Sequence, residues 1–258
     1  MATTDLPGSV ATAWGLRQAA GRGRPQGLSL RRIVMAGLRV ADDEGLAAVS
    51  MGRVARELSA ATMSLYRHVT SKDELVALMV DAAFDKPPAP RRATDGWRMG
   101  LGDWAHAHLA VMRGHRWLVQ VPIGGPPLMP NQLLWFERGL ACLQTTRIAD
   151  TEKPSVLLLL SGFVRSHATL EADLAIAGGG PATAPDAGVE YARVLAQLAD
   201  RERFPAIRAL LDARVFEREG TLDDDFEFGL DRILDGIALL VRTRAAGPNR
   251  RRSRTKGQ

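Results

Sequence analysis

The sequence has a single cysteine, Cys142, among 258 residues. No internal disulfide framework is open to it, and the expected compartment is a reducing one, the cytoplasm. Long apolar runs are missing too. The longest, Leu75 to Val80, falls far short of the roughly 20 residues that span a bilayer. The first residues hold no apolar run of signal-peptide length, so neither export nor a membrane partner is expected. No stretch alternates apolar and polar residues with period two, so no sheet is expected. Gly178-Gly179-Gly180 follows an apolar helical stretch rather than a strand and reads as a linker, not a phosphate cradle. Zinc signatures and nucleophile elbows are absent. His106 and His108, two apart, face away from each other on a helix, while His167 and Glu171 share a face but are too few for a structural metal site. These absences point away from an enzyme, with no catalytic residue, no metal and no cofactor.

What is present is an uneven distribution of charge. Residues 1–72 carry ten Arg/Lys against five Asp/Glu, residues 73–241 seventeen against twenty-four, and residues 242–258 seven against none. A basic head on an acidic body is the pattern of a nucleic-acid-binding end joined to a non-binding one. Residues 1–27, rich in Gly, Ala and Thr, are expected to be a disordered basic arm. Arg22-Gly23-Arg24-Pro25 reads either as a minor-groove strand or as a solvated extension. Residues 28–85 form a first domain, closed by Lys86-Pro87-Pro88-Ala89-Pro90, which cannot continue a helix. Residues 95–245 form a larger helical domain, and residues 246–258 a disordered basic tail. The expected fold class is all-α.

The chain is organised around Ser50 to Lys72. Ser50 is a good N-cap, with Val49 and Val54 placed for a hydrophobic staple. Val54, Ala55 and Leu58 give one apolar face, and Ser59-Ala60 interrupts. A second short helix is predicted over about Thr62 to Val69, with Leu65 and Val69 inward. Ser71 and Glu74 form a capping box for the next helix, which runs to Phe84. Helices this short need a neighbour to pack on. That neighbour is a helix capped by Ser29, with Leu30, Ile33, Val34, Gly37, Leu38 and Ala41 inward, ending at Gly45. Thr62, Met63, Ser64, Tyr66, Arg67, His68 and Lys72 are left facing outward. Hydroxyls, a phenol, an imidazole and cations suit phosphates and base edges. This is a helix-turn-helix whose second helix enters the major groove of double-stranded DNA.

Leu58, then Met63-Ser64-Leu65-Tyr66-Arg67-His68-Val69, then Ser71-Lys72-Asp73-Glu74-Leu75 resemble the TetR family of one-component transcriptional regulators in order and spacing. His115-Arg116-Trp117-Leu118, Pro130-Asn131 and Glu137 with Gly139-Leu140 are similar to its tetracycline-repressor-like C-terminal branch. The sequence departs from the family in two places. Ser59 stands where the turn usually has Gly, and a left-handed non-glycine residue costs roughly 1–2 kcal/mol. Ala61 replaces the usual Ser cap, so either Thr62 caps one residue later or about 1 kcal/mol of capping is lost. The resemblance implies a ligand-responsive regulator, a repressor by expectation, acting as a homodimer on a near-palindromic operator. Tyr66, His68 and Lys72 would hold phosphates. Thr62, Met63, Ser64 and Arg67 would read bases, and Ser50 and Arg53 would touch the backbone from the preceding helix. The competing reading is a helical enzyme or binding protein with a vestigial helix-turn-helix.

Beyond residue 95 the pattern predicts helices over Trp97–Arg113, Asn131–Thr145, Thr151–Ala177, Val189–Arg201, Pro205–Ala213 and Leu222–Arg244. Trp97, Trp104, Trp117 and Trp135 cluster in sequence with His108. With Phe163 and His167 they are candidates to line a cavity for a small, largely apolar effector, or else simple core. Phe226, Leu230, Ile233, Leu234, Ile237, Leu240 and Val241 form a continuous stripe on the last helix. Paired with the apolar Val156–Val164 stretch, it forms a dimer seam or packs within one chain.

Overall fold

A computed structural model describes residues 6–16, 28–90, 95–177, 187–217 and 221–245. Among the described residues there are eleven α-helices and no strand, so the all-α expectation holds. The chain divides into two compact units, Met1–Ala168 with Leu234–Gln258, and Thr169–Ile233.

The first unit opens with a correction. Gly8–Ala13, expected to be disordered, is a helix, α1. Six residues of this composition have no helical stability of their own. Tertiary contacts supply it: Val10 is buried, Thr12 Oγ1 donates to Glu74 Oε1 at 2.6 Å, and Trp14 Nε1 donates to the Leu128 carbonyl at 2.9 Å. The stretch Arg22 to Pro25 and the tail 246–258 lie outside the described residues.

Helix α2 (Leu30–Glu44) starts at Ser29, whose Oγ accepts from Arg32 N, and stops at Gly45 with φ +85°. It buries Ile33, Val34, Leu38, Val40 and Ala41. Helix α3 (Met51–Glu57) is capped by Ser50 Oγ, which accepts from Arg53 N at 3.1 Å, and the staple residues Val49 and Val54 are both fully buried. Ser59 takes the left-handed conformation, φ +50°. Helix α4 (Thr62–Leu65) begins at Ala61 without a side-chain cap, so that bond is lost rather than moved to Thr62. It is also shorter than predicted. Beyond it, Leu65 O accepts from both His68 N at 2.8 Å and Val69 N at 3.0 Å, a tightened turn that keeps Leu65 and Val69 in the core. Helix α5 (Lys72–Phe84) follows Ser71, whose Oγ accepts from Glu74 N. The Glu74 carboxylate bonds the Thr70 backbone N–H at 2.7 Å and the Thr70 hydroxyl, one residue earlier than an ordinary capping box.

The proline run stops α5, but it does not separate two compact units. In the first unit α5 packs on α7 (Pro130–Cys142), and α7 also packs on α6 (Gly96–Gly114). Met129 gives α7 no side-chain cap. Instead the Asp81 carboxylate on α5 accepts from Asn131 N at 2.9 Å and Gln132 N at 3.0 Å, capping α7 from outside. Burial holds the Asp81 carboxyl above its ordinary range, partly offset by those two bonds. A raised folded-state pKa contributes stability below the unfolded value of about 3.9, and that contribution is lost as pH rises through the folded value. The unfolding free energy of the parent relative to Asp81→Asn is therefore expected to fall as pH rises from the unfolded value through the raised folded one and to level off above it. Urea titrations at several pH values check this, and a relative stability that rises with pH would reverse the assignment.

Helix α8 (Lys153–Ala177) approaches α7 where Gly139 has no side chain, since a Cβ there would lie 2.6 Å from Leu157 Cδ2. It buries Val156, Leu157, Leu160 and Val164, yet leaves Leu158 72% and Leu159 54% exposed. Helix α11 (Leu222–Ala245) corrects the expected seam. Phe226, Leu230, Leu234 and Ile237 are already buried within one chain, and Leu239 on another side of the helix is exposed. Arg244 pairs with Glu152. The second unit holds α9 (Ala187–Leu198), α10 (Pro205–Asp212) and a turn at Val215–Glu217, where Tyr191 meets Phe216 edge-on at 5.4 Å.

Candidate nucleic-acid interface

The core side of α4 and its turn is Leu65 and Val69, both with no exposed surface. The outer side carries the residues nominated from sequence. Met63, Tyr66, Arg67 and Lys72 are exposed, and Thr62, Ser64 and His68 are half-buried. Among the described residues, the side chains of Tyr66, Arg67, His68 and Lys72 have no hydrogen-bond or ion-pair partner within the chain. Two cations, an imidazole and a phenol are thus presented together. Lys72 is the first residue of α5, so its charge adds to unpaired backbone N–H groups that favour an anion.

Arg53 and Ser50 sit differently. Ser50 is exposed, but its Oγ is used in capping α3. The Arg53 guanidinium lies between two carboxylates, with Nη2 2.6 Å from Glu44 Oε1 and Nη1 3.1 Å from Glu57 Oε2. Its hydrogen bonds hold the Glu44 carboxyl below the usual range. This fork ties the end of α2 to α3, and a phosphate would compete with both carboxylates for it.

The residues nominated for a ligand separate into groups. Trp104, His108 and Trp135 form one aromatic cluster with Phe84 from the end of α5. His108 lies 5.0 Å from Trp104 and 5.1 Å from Phe84, centroid to centroid, and Trp104 lies 6.0 Å from Trp135. Trp104 Nε1 donates to Trp135 O, and Trp135 Nε1 donates to Phe84 O, both at 2.9 Å. His108 is buried with its Nδ1 unpartnered. Burial, then the charge of Arg165, lowers its pKa to about 4, so the ring is neutral at physiological pH. Trp117 is elsewhere. Its Nε1 donates to Asp42 Oδ1 at 2.8 Å, and His115 Nδ1 is 2.8 Å from the same oxygen, which joins α2 to the corner after α6. Phe163 and His167 lie tilted against each other on α8, with ring centroids 6.3 Å apart. Of the seven, Trp97 alone lines the cleft of about 190 Å³ between α6 and α7.

The family description "Bacterial regulatory proteins, tetR family" matches residues 33–79, and "Tetracyclin repressor-like, C-terminal domain" matches residues 89–241. The chain belongs to the TetR family of transcriptional regulators. It is 34% identical over 243 residues to the HTH-type transcriptional repressor DrrR1 of Streptomyces coeruleorubidus, covering 93% of this chain and 88% of that one. It is similar in fold to the Streptomyces coelicolor TetR family protein ActR in complex with actinorhodin, with TM-score 0.70, 28% identity, and 83% and 96% of the two chains covered. The tetracycline repressor of class E from Escherichia coli is 28% identical over 152 residues, 57% of this chain and 68% of that one. Among the described residues no helix is long and apolar enough to cross a membrane.

Three residues of this TetR-family chain escaped the sequence reading: Asp42, Asp81 and Phe84. Asp42 lies on α2 and bonds Trp117, and Asp81 and Phe84 lie on α5 and bond or pack onto α7 and α6. Asp42, followed by Asp43 and Glu44, has the sequence signature of a solvated helix end, and nothing local marks its pairing with an indole 75 residues away.

Proposed function

We propose that this chain is a dimeric repressor that holds a near-palindromic operator through α4, its following turn and the start of α5, and releases it when a small, largely apolar molecule binds the body. The observation that carries the reading is the outer side of the turn after α4 and of the start of α5, where Tyr66, Arg67, His68 and Lys72 are without partners in the chain while Leu65 and Val69 anchor the same segment. Thr62, Met63, Ser64 and Arg67 read bases, and Tyr66, His68 and Lys72 hold phosphates. Ser50 contributes through the backbone it caps, and Arg53 by fixing α3. The dimer forms through the exposed leucines of α8 and α11, Leu158, Leu159 and Leu239. Two-fold symmetry then sets the recognition helices about 34–36 Å apart or a multiple of that. The effector takes its polar anchor from the unpartnered His108 Nδ1 within the Trp104 and Trp135 cluster. DrrR1, named as a repressor, and ActR, solved with actinorhodin, support the reading.

A mobility-shift assay on DNA upstream of the chain's own gene tests it, with a retarded complex expected. In the same assay, Lys72→Ala is expected to weaken binding to every sequence and to flatten the salt dependence by about one unit of slope. Arg67→Ala is expected to change sequence preference instead. Unchanged affinity and slope for Lys72→Ala would place the DNA on another face.

A further inference from the structure

The cleft between α6 and α7 is not needed for DNA binding or for the aromatic cluster around His108. It is walled by Pro88 and Pro90 of the segment after α5, by Trp97 and Gly100 of α6, and by Arg138 and Cys142 of α7. Its volume, about 190 Å³, is below the 300 Å³ or so at which drug-sized pockets begin. One ring with a short substituent fits; a polycyclic effector does not.

The walls specify more than size. Arg138 has no ion-pair partner among the described residues, and its Nε is buried with no hydrogen-bond partner. A half-buried guanidinium with one donor removed from water and left unmatched favours an anion, and its planar fork matches a carboxylate best. Asp103 also lines the cleft, but it has interactions of its own and leaves Arg138 unmatched. Trp97 and the two prolines provide flat apolar walls beside the cation. Gly100 sets the depth. A Cβ there would stand 2.8 Å from Cys142 Sγ, so α6 and α7 meet at this level and close the floor. Cys142 contributes no reactivity: its Sγ donates to Arg138 O at 3.4 Å, and burial pushes the thiol up from its ordinary range.

We infer that this cleft is a second small-molecule site, distinct from the effector site at His108, and that it takes a monocyclic aromatic carboxylate, with the carboxylate on Arg138 and the ring against Trp97 and the prolines. The cleft rests against Pro88, Ala89 and Pro90, so an occupant contacts the residues that follow α5.

Isothermal titration of the full chain with benzoate, and separately with the neutral ring compound benzyl alcohol, tests the site. Saturable binding of benzoate is expected, with benzyl alcohol at least about tenfold weaker. Arg138→Gln is expected to weaken benzoate about tenfold or more and to leave benzyl alcohol unchanged. Ala141→Phe, on the exposed rim, fills the cleft and is expected to abolish binding of both. Circular dichroism and thermal unfolding report that each variant is folded, so the test stands apart from the repressor reading, which operator binding alone decides. No saturable heat at millimolar benzoate, or the parent's benzoate affinity retained in either variant, would overturn the inference.

Discussion

Trp135→Ala is expected to lower the unfolding free energy by about 3–5 kcal/mol, the range for removing a large buried aromatic. The indole is 5% exposed and touches Phe84, Trp104 and His108. Its Nε1 also satisfies the Phe84 carbonyl at the end of α5, where helix carbonyls lose their intrahelical partners. The substitution opens a cavity and leaves that carbonyl without its donor, so two losses add at one position. Trp135→Phe separates them, since it keeps most of the ring packing and removes only the hydrogen bond. It is expected to cost about 1–2 kcal/mol. Urea denaturation of both variants measures the difference. A Trp135→Ala variant as stable as the parent would mean that the indole is not part of the core.

The double substitution Leu158→Glu with Leu159→Glu is expected to give a folded monomer and to weaken operator binding by 100-fold or more, the order of gain that a linked second site provides. Both leucines are largely exposed in the single chain, so charges there remain solvated in a monomer and are desolvated only in a dimer. Ile237→Glu behaves differently. Ile237 is 4% exposed within its own chain, so the charge is stranded in the core and the variant unfolds rather than dissociates. Sedimentation velocity with circular dichroism separates the two outcomes. An intact dimer for the Leu158/Leu159 variant would move the interface away from α8.

Much of the fold was legible because the decisive signals are local. Ser29, Ser50 and Ser71 cap α2, α3 and α5 as their sequence positions require, and Gly45 stops α2. Lys72–Phe84 and the helices of the body follow the 3.6-residue period to within a few residues. The outward face of α4 was legible for the same reason, since Leu65 and Val69 fix which side of a short segment is inside. Harder to read were features whose stabilising partner is far away in the chain. Helix α1 exists through Glu74 and Leu128. The cap on α7 comes from Asp81, and the indole of Trp117 is held by Asp42.

The sequence by itself determined the all-helical class, the helix-turn-helix and the family, because capping, periodicity and a dense motif are written in neighbouring residues. Only the tertiary structure decided which apolar stripe of α11 is spent inside the chain. A helix that is apolar on more than one side gives no local clue to which side meets its own body. Only the tertiary structure, too, divided the aromatic residues into a core cluster around His108, a tie at Asp42 and a cleft wall at Trp97. Spacing along a helix fixes the direction of a side chain, whereas burial and hydrogen-bond partners depend on which distant helix packs there.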